Sequence, residues 1–328
     1  MFRRSIMKAI QFHEFGGPEV LKLEEVADPQ PGPGEAVLRM HSAGVNPTDI
    51  TTRSGRAPAP AGGFVFPSLL GREGAGIVES IGDGVTNIAV GDEVALRNAS
   101  YSYAELVKSP AENLYKLPKG LGMLEASTCV ITCSTAWDAL VNKCQVQAGQ
   151  TVLVQGAAGG VSVAAIQIAK LLGATVIGTA SSDEKLAYAS AQGMDHGVNY
   201  SSGTYADKVK ELTGGAGVDA VVDGVGGNAF LESLNCIKPN GRIAIYGTAG
   251  GREVTLNLSN IFRLRVAVLG SGGTGTSHSD FAALLQMLAD GRLKPTVERT
   301  WPIAEVGEAQ RFIEERRVMG KVAIVMAG

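Results

Sequence analysis

The chain has 328 residues, with 29 Lys and Arg against 32 Asp and Glu and a formal net charge of -3. That balance excludes a basic nucleic-acid footprint and a polybasic membrane contact, and no apolar run approaches the ~18 residues of a membrane-spanning helix. At about 100–200 residues per domain the length implies two domains, and 45% hydrophobic residues supply a core for each.

The first residues, Met1-Phe2-Arg3-Arg4-Ser5-Ile6, are basic but lack the hydrophobic stretch and cleavage pattern of a signal peptide. They read as an extension ahead of a strand opening at Met7. Lys8–Phe12 and Leu21–Val26 alternate, Glu35–His41 is β-rich, and Gly16-Gly17-Pro18 and residues 29–34 punctuate them. Gly74–Ile81 and Gly91–Leu96 are further short strands. Together these predict a small all-β, barrel-like unit. Met123–Asn142 follows as a helix with a break near Cys133-Ser134.

At Gln150 the pattern changes. Thr151–Gln155 is a continuous apolar run suited to a strand buried on both faces. Gly156–Gly160 turns tightly, and Val161–Leu172 is a helix stopped by Gly173. Strands at Ala174–Thr179, Gly197–Tyr200, Ala220–Asp223, Arg242–Gly247 and Val266–Ser271 alternate with helices at Asp183–Gln192, Tyr205–Thr213 and Asn228–Ile237. Such alternation predicts an α/β, doubly wound parallel sheet. The tail, with helices at Asp280–Asp290 and Ile303–Arg316 and a last strand at Lys321–Met326, reads as rejoining the first, β-rich unit.

The 43 glycines follow no collagen-like period, so they belong in turns and phosphate-type loops. The four cysteines, Cys129, Cys133, Cys144 and Cys236, are too few for a disulfide framework in so large a chain. The Val, Ile and Ala around the first two mark buried apolar thiols. A cytoplasmic protein fits best.

The segment TVLVQ-GAAGG-VSVAAIQIAKLLGA carries the clearest chemistry. A helix N-terminus leaves N–H groups unpaired and carries partial positive charge, so it receives a pyrophosphate. Glycine permits the turn and the close approach. Gly156, Ala158, Gly159, Gly160 and Val161 therefore mark a dinucleotide site. Ser162 stands where the third glycine of the usual fingerprint would pack, and its small side chain can still fit. An NAD site ends the second strand with Asp or Glu; here it ends Gly178-Thr179-Ala180-Ser181-Ser182, and Asp183 is read as capping the next helix. Ser181, Ser182 and Lys185 suit a 2′-phosphate, which favours NADPH. The alternative for Lys185 is a solvated surface lysine.

Taken together, AGVNPTD (Ala43–Asp49), Arg53, GREGAGIVESIGDGV (Gly71–Val85), GDEVA, YSYAELV, LPKGL, GAAGGV, SSDEK and Asn199-Tyr200 resemble the quinone oxidoreductase branch of the medium-chain dehydrogenase/reductases, similar to the zeta-crystallins, over nearly the whole chain. The resemblance implies a GroES-like, β-rich catalytic domain (residues 1–129 and 273–328) split by a Rossmann cofactor domain (residues 130–272), with the active site in the cleft between them. It implies NADPH as cofactor and a small-molecule quinone or enone as substrate. It also implies a homodimer or homotetramer paired through the edge strand Val266–Leu269. Asn46 and Asp49 fall on the family's active-site asparagine and nearby aspartate, and Thr135 on a threonine near the nicotinamide. Ser181, Lys185 and Tyr200 would surround the adenosine 2′-phosphate. Gly224 and Val225 would line the adenine side; Tyr246, Gly247, Thr248, Gly270 and Ser271 would border the nicotinamide end.

Zinc-dependent relatives place Cys where this chain has Asn46 and His where it has Arg72. Arginine has only donors and cannot ligate a cation. Residues 97–103 contain no cysteine for a structural-zinc lobe, and His13, His41, His196 and His278 show no ligand spacing. No metal is expected. Negative charge growing on the substrate oxygen then needs donors, and the Asn46 amide and Thr135 hydroxyl are the candidates. Arg72 either reaches the cleft and favours an anionic or carbonyl substrate, or pairs with Glu73 or another acid. Asp49 either organises a proton-supplying water or caps a helix. Three function classes stay open: a quinone or enone reductase, a zinc-free alcohol/aldehyde or enoyl-thioester reductase, and a non-catalytic NADPH-binding protein.

Overall fold

A computed structural model describes residues 6–59, 62–201 and 203–326. Residues 1–5, most of the predicted N-terminal extension, lie outside the described residues. The chain forms two units: the first runs to Ile131 and resumes at Leu285, and the second is Thr132–Leu284.

In the first unit the alternating segments predicted as strands pair as β1 (Ile6–Phe12), β2 (Lys22–Ala27) and β3 (Glu35–Gly44). A short helix α1 (Pro47–Arg53) follows directly, its proline at the first position where no amide hydrogen is needed. Next come β4 (Ser68–Leu69), β5 (Gly74–Ile81), β6 (Glu93–Leu96), β7 (Leu106–Pro110), β8 (Leu114–Lys116) and helix α2 (Met123–Trp137).

The second unit contains β9 (Thr151–Val154), α3 (Gly160–Leu171), β10 (Thr175–Ala180), α4 (Asp183–Ala191), β11 (His196–Asn199) and α5 (Ala206–Leu212). It continues with β12 (Val218–Asp223), α6 (Gly227–Cys236), β13 (Ile237–Ile245), α7 (Leu258–Leu264), β14 (Ala267–Gly270) and α8 (His278–Ala289). β15 (Val297–Pro302), α9 (Val306–Glu314) and β16 (Lys321–Val325) complete the first unit.

The first unit holds a three-stranded sheet, β2-β1-β4, and a seven-stranded sheet ordered β15-β16-β3-β5-β6-β8 with β7 beside β3. β16 pairs antiparallel with β3 at Ala323↔Gly44, so the tail does rejoin the β-rich unit. Its core gathers Ile10, Phe12, Leu38, Leu96, Tyr103 and Ile324. In the second unit six parallel strands run β11-β10-β9-β12-β13-β14. Counted within that unit the order is 3-2-1-4-5-6, the doubly wound order of a Rossmann sheet. Val152, Leu153 and Val154 are fully buried, as a strand covered on both faces requires.

The helix break predicted near Cys133-Ser134 is absent. α2 runs through both residues and widens into a π-helical turn at Asp138–Lys143. The irregularity lies further along, beginning at Asp138, whose carboxylate accepts from Ser271 and Gly272. All four cysteines are buried, and no disulfide joins them among the described residues. Burial pushes the Cys144 and Cys236 thiols up to about 12, out of the range of reactive thiolates.

Candidate active site

Asn46 and Asp49 lie at the start of α1, immediately after the long central strand β3. The Asp49 carboxylate accepts from the Asn46 amide N–H at 2.9 Å, closing the first turn of the helix. The capping reading of Asp49 is thus realised, and a second partner comes with it. The hydroxyl of Tyr103, itself fully buried, donates to the same Oδ2 at 2.7 Å. Asp49 Oδ1 is buried with no hydrogen-bond partner among the described residues. Desolvation dominates this carboxyl and pushes its pKa up to about 6, against the Tyr103 and Asn46 hydrogen bonds and the charges of Lys321 and Arg72. Burial and the adjacent Asp49 carboxylate drive the Tyr103 phenol well above its usual range.

The Asn46 side chain, 3% exposed, sits between two charges. Its Nδ2 donates to Glu73 Oε1 at 2.9 Å, with a longer 3.4 Å contact to the Gly44 carbonyl. Its Oδ1 accepts from the Lys321 ammonium group. Lys321 also bonds Glu73 Oε1 at 2.8 Å and the Val45 carbonyl at 3.0 Å. Glu73 Oε2 accepts the Ile131 amide at 2.7 Å. The predicted alternative of an Arg72–Glu73 ion pair is therefore not formed: Glu73 is spent on Lys321. Neighbouring side chains entering β5 point opposite ways, Glu73 fully inward and Arg72 out to solvent. The Arg72 carbonyl accepts from the Ala99 amide at 3.1 Å, and its side chain has no hydrogen-bond or ion-pair partner among the described residues.

In the second unit the glycine turn has the geometry a dinucleotide needs. Gly156 takes φ +58, a left-handed conformation that side chains resist. Gly159 is the N-cap of α3, so the amide groups of Gly160, Val161 and Ser162 begin a twelve-residue helix without intrahelical acceptors. Ser162 fits in place of the third glycine by turning inward. Its hydroxyl donates to the Gln155 carbonyl at 2.9 Å and shares a 3.0 Å bond with Tyr246, stitching helix to sheet. The Tyr246 ring lies against Gly224; a Cβ there would stand 2.3 Å from the ring's hydroxyl end. Backbone bonds from Ala249 to the Gly224 carbonyl and from Gly250 to the Val225 carbonyl bring Gly224, Val225, Tyr246, Gly247 and Thr248 into one loop pair.

Ser181 and Ser182 follow β10, Lys185 lies on the first turn of α4, and Tyr200 follows β11, which pairs with β10. The Tyr200 amide donates to the Ala180 carbonyl at 3.0 Å. Here the expectation that Asp183 caps α4 is corrected. Ser182 is the N-cap, extended and accepting from the Lys185 amide at 3.3 Å, while Asp183 is the first helical residue. The Asp183 carboxylate is held instead by the Asn199 amide at 2.8 Å.

Thr135 is buried in α2, in the second unit, whereas Asn46 and Asp49 belong to the first. Gly270 and Ser271 end β14, and the loop beyond them is anchored by Asp138. Its Oδ2 accepts from the Ser271 hydroxyl at 2.8 Å and the Gly272 amide at 3.1 Å.

The sequence reading passed over Glu73 as an acceptor for Lys321, together with Tyr103, Asp138 and Lys321 itself. One signal was present. A lysine heading the apolar run KVAIV, at a predicted core strand, requires a buried partner.

A parallel 3-2-1-4-5-6 sheet with a glycine turn, in the same chain as a GroES-like β unit, defines a medium-chain dehydrogenase/reductase. Residues 32–209 match the family described as alcohol dehydrogenase GroES-like domain, and residues 160–290 match zinc-binding dehydrogenase. A quinone oxidoreductase of Pseudomonas aeruginosa is 35% identical, covering 97% of this chain and 99% of that protein. A 2-haloacrylate reductase of a Burkholderia species is 34% identical over 98% of this chain and 99% of its own. Among solved structures, an NAD-dependent alcohol dehydrogenase superposes with a TM-score of 0.92 at 38% identity, covering 98% of this chain and 100% of that one. The Escherichia coli quinone oxidoreductase complexed with NADPH superposes with a TM-score of 0.90 at 29% identity, covering 97% and 99%. The chain belongs to the quinone oxidoreductase branch of the medium-chain dehydrogenase/reductase superfamily and is an NAD(P)H-dependent oxidoreductase.

The description of the second matched family raises zinc, and the residues present do not fit it. At the position in question the acceptor oxygens of Asn46 and Glu73 are already bonded to an ammonium group, and Arg72 offers only donors.

Proposed function

We propose that this enzyme transfers hydride from NADPH to a quinone or another conjugated carbonyl, without a metal. The observation that carries the reading is the Asn46 carboxamide, buried and held at both polar ends by Glu73 and Lys321. A fixed donor aimed where negative charge develops needs no reorganisation during the reaction. One Nδ2 hydrogen is committed to Glu73. The other has only the long Gly44 contact and is the hydrogen available to a substrate oxygen. Bound nicotinamide supplies the hydride. This chain's own residues bind the pyrophosphate at the α3 N-terminus, through Gly156, Ala158, Gly159, Gly160 and Val161, and the buried Thr135 hydroxyl belongs to the same unit. Asp49 holds the α1 turn from which Asn46 projects.

Preference for NADPH is supported by what lies at the end of β10. Ser181 and Ser182 follow that strand, Lys185 lies on the first turn of α4 and Tyr200 follows β11, and the nearby acid, Asp183, is tied to Asn199. The test is NADPH oxidation against a benzoquinone, a naphthoquinone, an alkenal, an aldehyde and a crotonyl thioester, each repeated with NADH and with EDTA. Rapid quinone reduction preferring NADPH and indifferent to EDTA is expected. Activity with NADH alone, or abolished by EDTA, would overturn the reading.

A second substrate class has its own support. The Arg72 side chain is exposed with no partner among the described residues, and one relative is a 2-haloacrylate reductase, so a small anionic alkene belongs in the panel. If Arg72 recognises it, Arg72→Ala raises KM for the acrylate and leaves that for the quinone unchanged.

We further propose a homodimer paired through β14, the edge strand of the six-stranded sheet. Leu258 and Phe262, one turn apart on α7, are 72% and 80% exposed, and Val268 on the edge strand is 42% exposed. Phe262→Glu should give a monomer by light scattering. We propose a cytoplasmic setting, supported by four buried cysteines that form no disulfide among the described residues. Fractionation with the native gene product would check it.

A further inference from the structure

We propose that Lys321 and Glu73 are positioning residues: the ammonium ion of Lys321, held by Glu73, fixes the Asn46 carboxamide in one orientation. The link to rate rests on the reading of Asn46 as a donor to substrate oxygen; the positioning itself does not.

Lys321 opens β16 and is 6% exposed, and the residues after it, Val322, Ala323 and Ile324, are fully buried. A charge in such surroundings is costly unless every proton finds an acceptor. All three do: the Val45 carbonyl, Glu73 Oε1 and Asn46 Oδ1. Glu73 is equally spent, with Oε1 accepting from Lys321 and from Asn46 and Oε2 from the Ile131 amide.

The two charges decide which way the amide faces. An ammonium group only donates, so Asn46 Oδ1 must face Lys321; a carboxylate only accepts, so Nδ2 must face Glu73. Rotating the amide by half a turn would set oxygen against carboxylate and nitrogen against ammonium. A buried ion pair can often be exchanged for apolar residues without loss of stability. Packing alone therefore does not account for this one, whereas orienting a polar amide does. The ammonium also withdraws electrons through Oδ1, which strengthens the remaining Nδ2 hydrogen as a donor.

Lys321→Met alone strands a buried carboxylate and is expected to damage the fold. The informative variant is Lys321→Met with Glu73→Gln, which removes both charges and keeps the shape. It should melt cooperatively, bind NADPH within about twofold of wild type, and lose roughly 10- to 100-fold in kcat with little change in KM, as expected when a reacting geometry loosens. In wild-type side-chain 1H–15N spectra the Lys321 ammonium and both Asn46 Nδ2 protons should be resolved and slow to exchange. In the double variant the Asn46 pair should shift and exchange faster. Wild-type kcat in a folded double variant would overturn the proposal. So would a Lys321 ammonium exchanging as fast as those of surface lysines, a result that stands even if the double variant fails to fold. If wild type reduces no electrophile, the proposed function fails, and the Lys321 and Asn46 resonances still decide the positioning.

Discussion

The two units build polar sites from different material. In the first, Asn46, Asp49, Glu73, Tyr103 and Lys321 form a buried cluster of side chains, with carboxylates, an ammonium and a phenol bonded to one another. In the second, the glycine turn is mostly backbone: unpaired amide groups at the start of α3, a left-handed glycine, and small side chains turned inward. A charge cluster is strong while complete and fragile when one member is lost. A backbone site tolerates polar substitution and fails through shape.

That contrast is sharpest at Glu73. Glu73→Ala leaves the Lys321 ammonium buried without its counter-charge and the Ile131 amide without its acceptor. A loss of about 3–5 kcal/mol is expected for breaking one side of such a pair, read from the shift in the denaturant midpoint. A loss below about 1 kcal/mol would mean that water enters the cluster and that it is not a closed assembly.

Asp49 probes the same cluster through pH. Its carboxyl, pushed up to about 6 by burial, binds a proton more tightly in the folded chain than in the unfolded one, where the ordinary value is 3.8. The folded state therefore holds the extra proton between about pH 4 and 6, and stability falls as pH rises through that window. The fall is on the order of 2–3 kcal/mol. Tyr103, Lys321 and Arg72 face this carboxyl, and the Tyr103 phenol, driven well above its usual range, keeps its proton there. Asp49→Asn keeps an acceptor for Tyr103 and the Asn46 amide and removes the titration. Stability curves of the two proteins should diverge below pH 6 and run parallel above it; parallel curves throughout would place the Asp49 pKa near its unfolded value.

The same difference in material explains what was legible in the sequence. Backbone sites depend on neighbours along the chain. Strand, turn and helix at Thr151–Leu172 were readable together, whereas the contact of Gly224 with the Tyr246 ring was not: the resemblance set the two at opposite ends of the cofactor. The charge cluster depends on pairing between β16 and β3, which joins Lys321 to Asn46 across most of the chain. No local pattern carries that register, so Glu73 was offered to its neighbour Arg72 instead. Asp138 was missed for a similar reason, since its partners lie on a loop after β14. Short elements escaped as well: α1, β7 and β8 are too brief to show a period. The Ser182 cap was misassigned to Asp183 because both residue types cap helices and only backbone geometry separates them.

In the backbone region the contrast predicts failure by shape. Gly224→Ala puts a methyl group where the Tyr246 ring lies, within 2.3 Å of its hydroxyl end. The ring must move and surrender its bond to Ser162, at about 1–3 kcal/mol for overpacking. Dinucleotide affinity should fall with stability, measured by fluorescence titration and a melt. A second change, Tyr246→Phe, leaves the clash in place and should not restore either quantity, whereas Tyr246→Ala should restore part of the stability.

The smallest effect is expected at the far end of the cofactor. Asn199 holds the Asp183 carboxylate at 2.8 Å, beside Ser181 and Lys185. Asn199→Ala frees that carboxylate at an exposed site, where a like-charge interaction is worth up to about 1 kcal/mol. If the 2′-phosphate of NADPH binds there, its Kd should rise roughly two- to fivefold, while the Kd for NADH, which has no phosphate at that position, should stay the same or fall. Added salt should shrink the difference, because exposed charges are screened. Equal weakening of both cofactors would instead show that Asn199 acts on the loop as a whole, and that the end of β10 does not discriminate by charge.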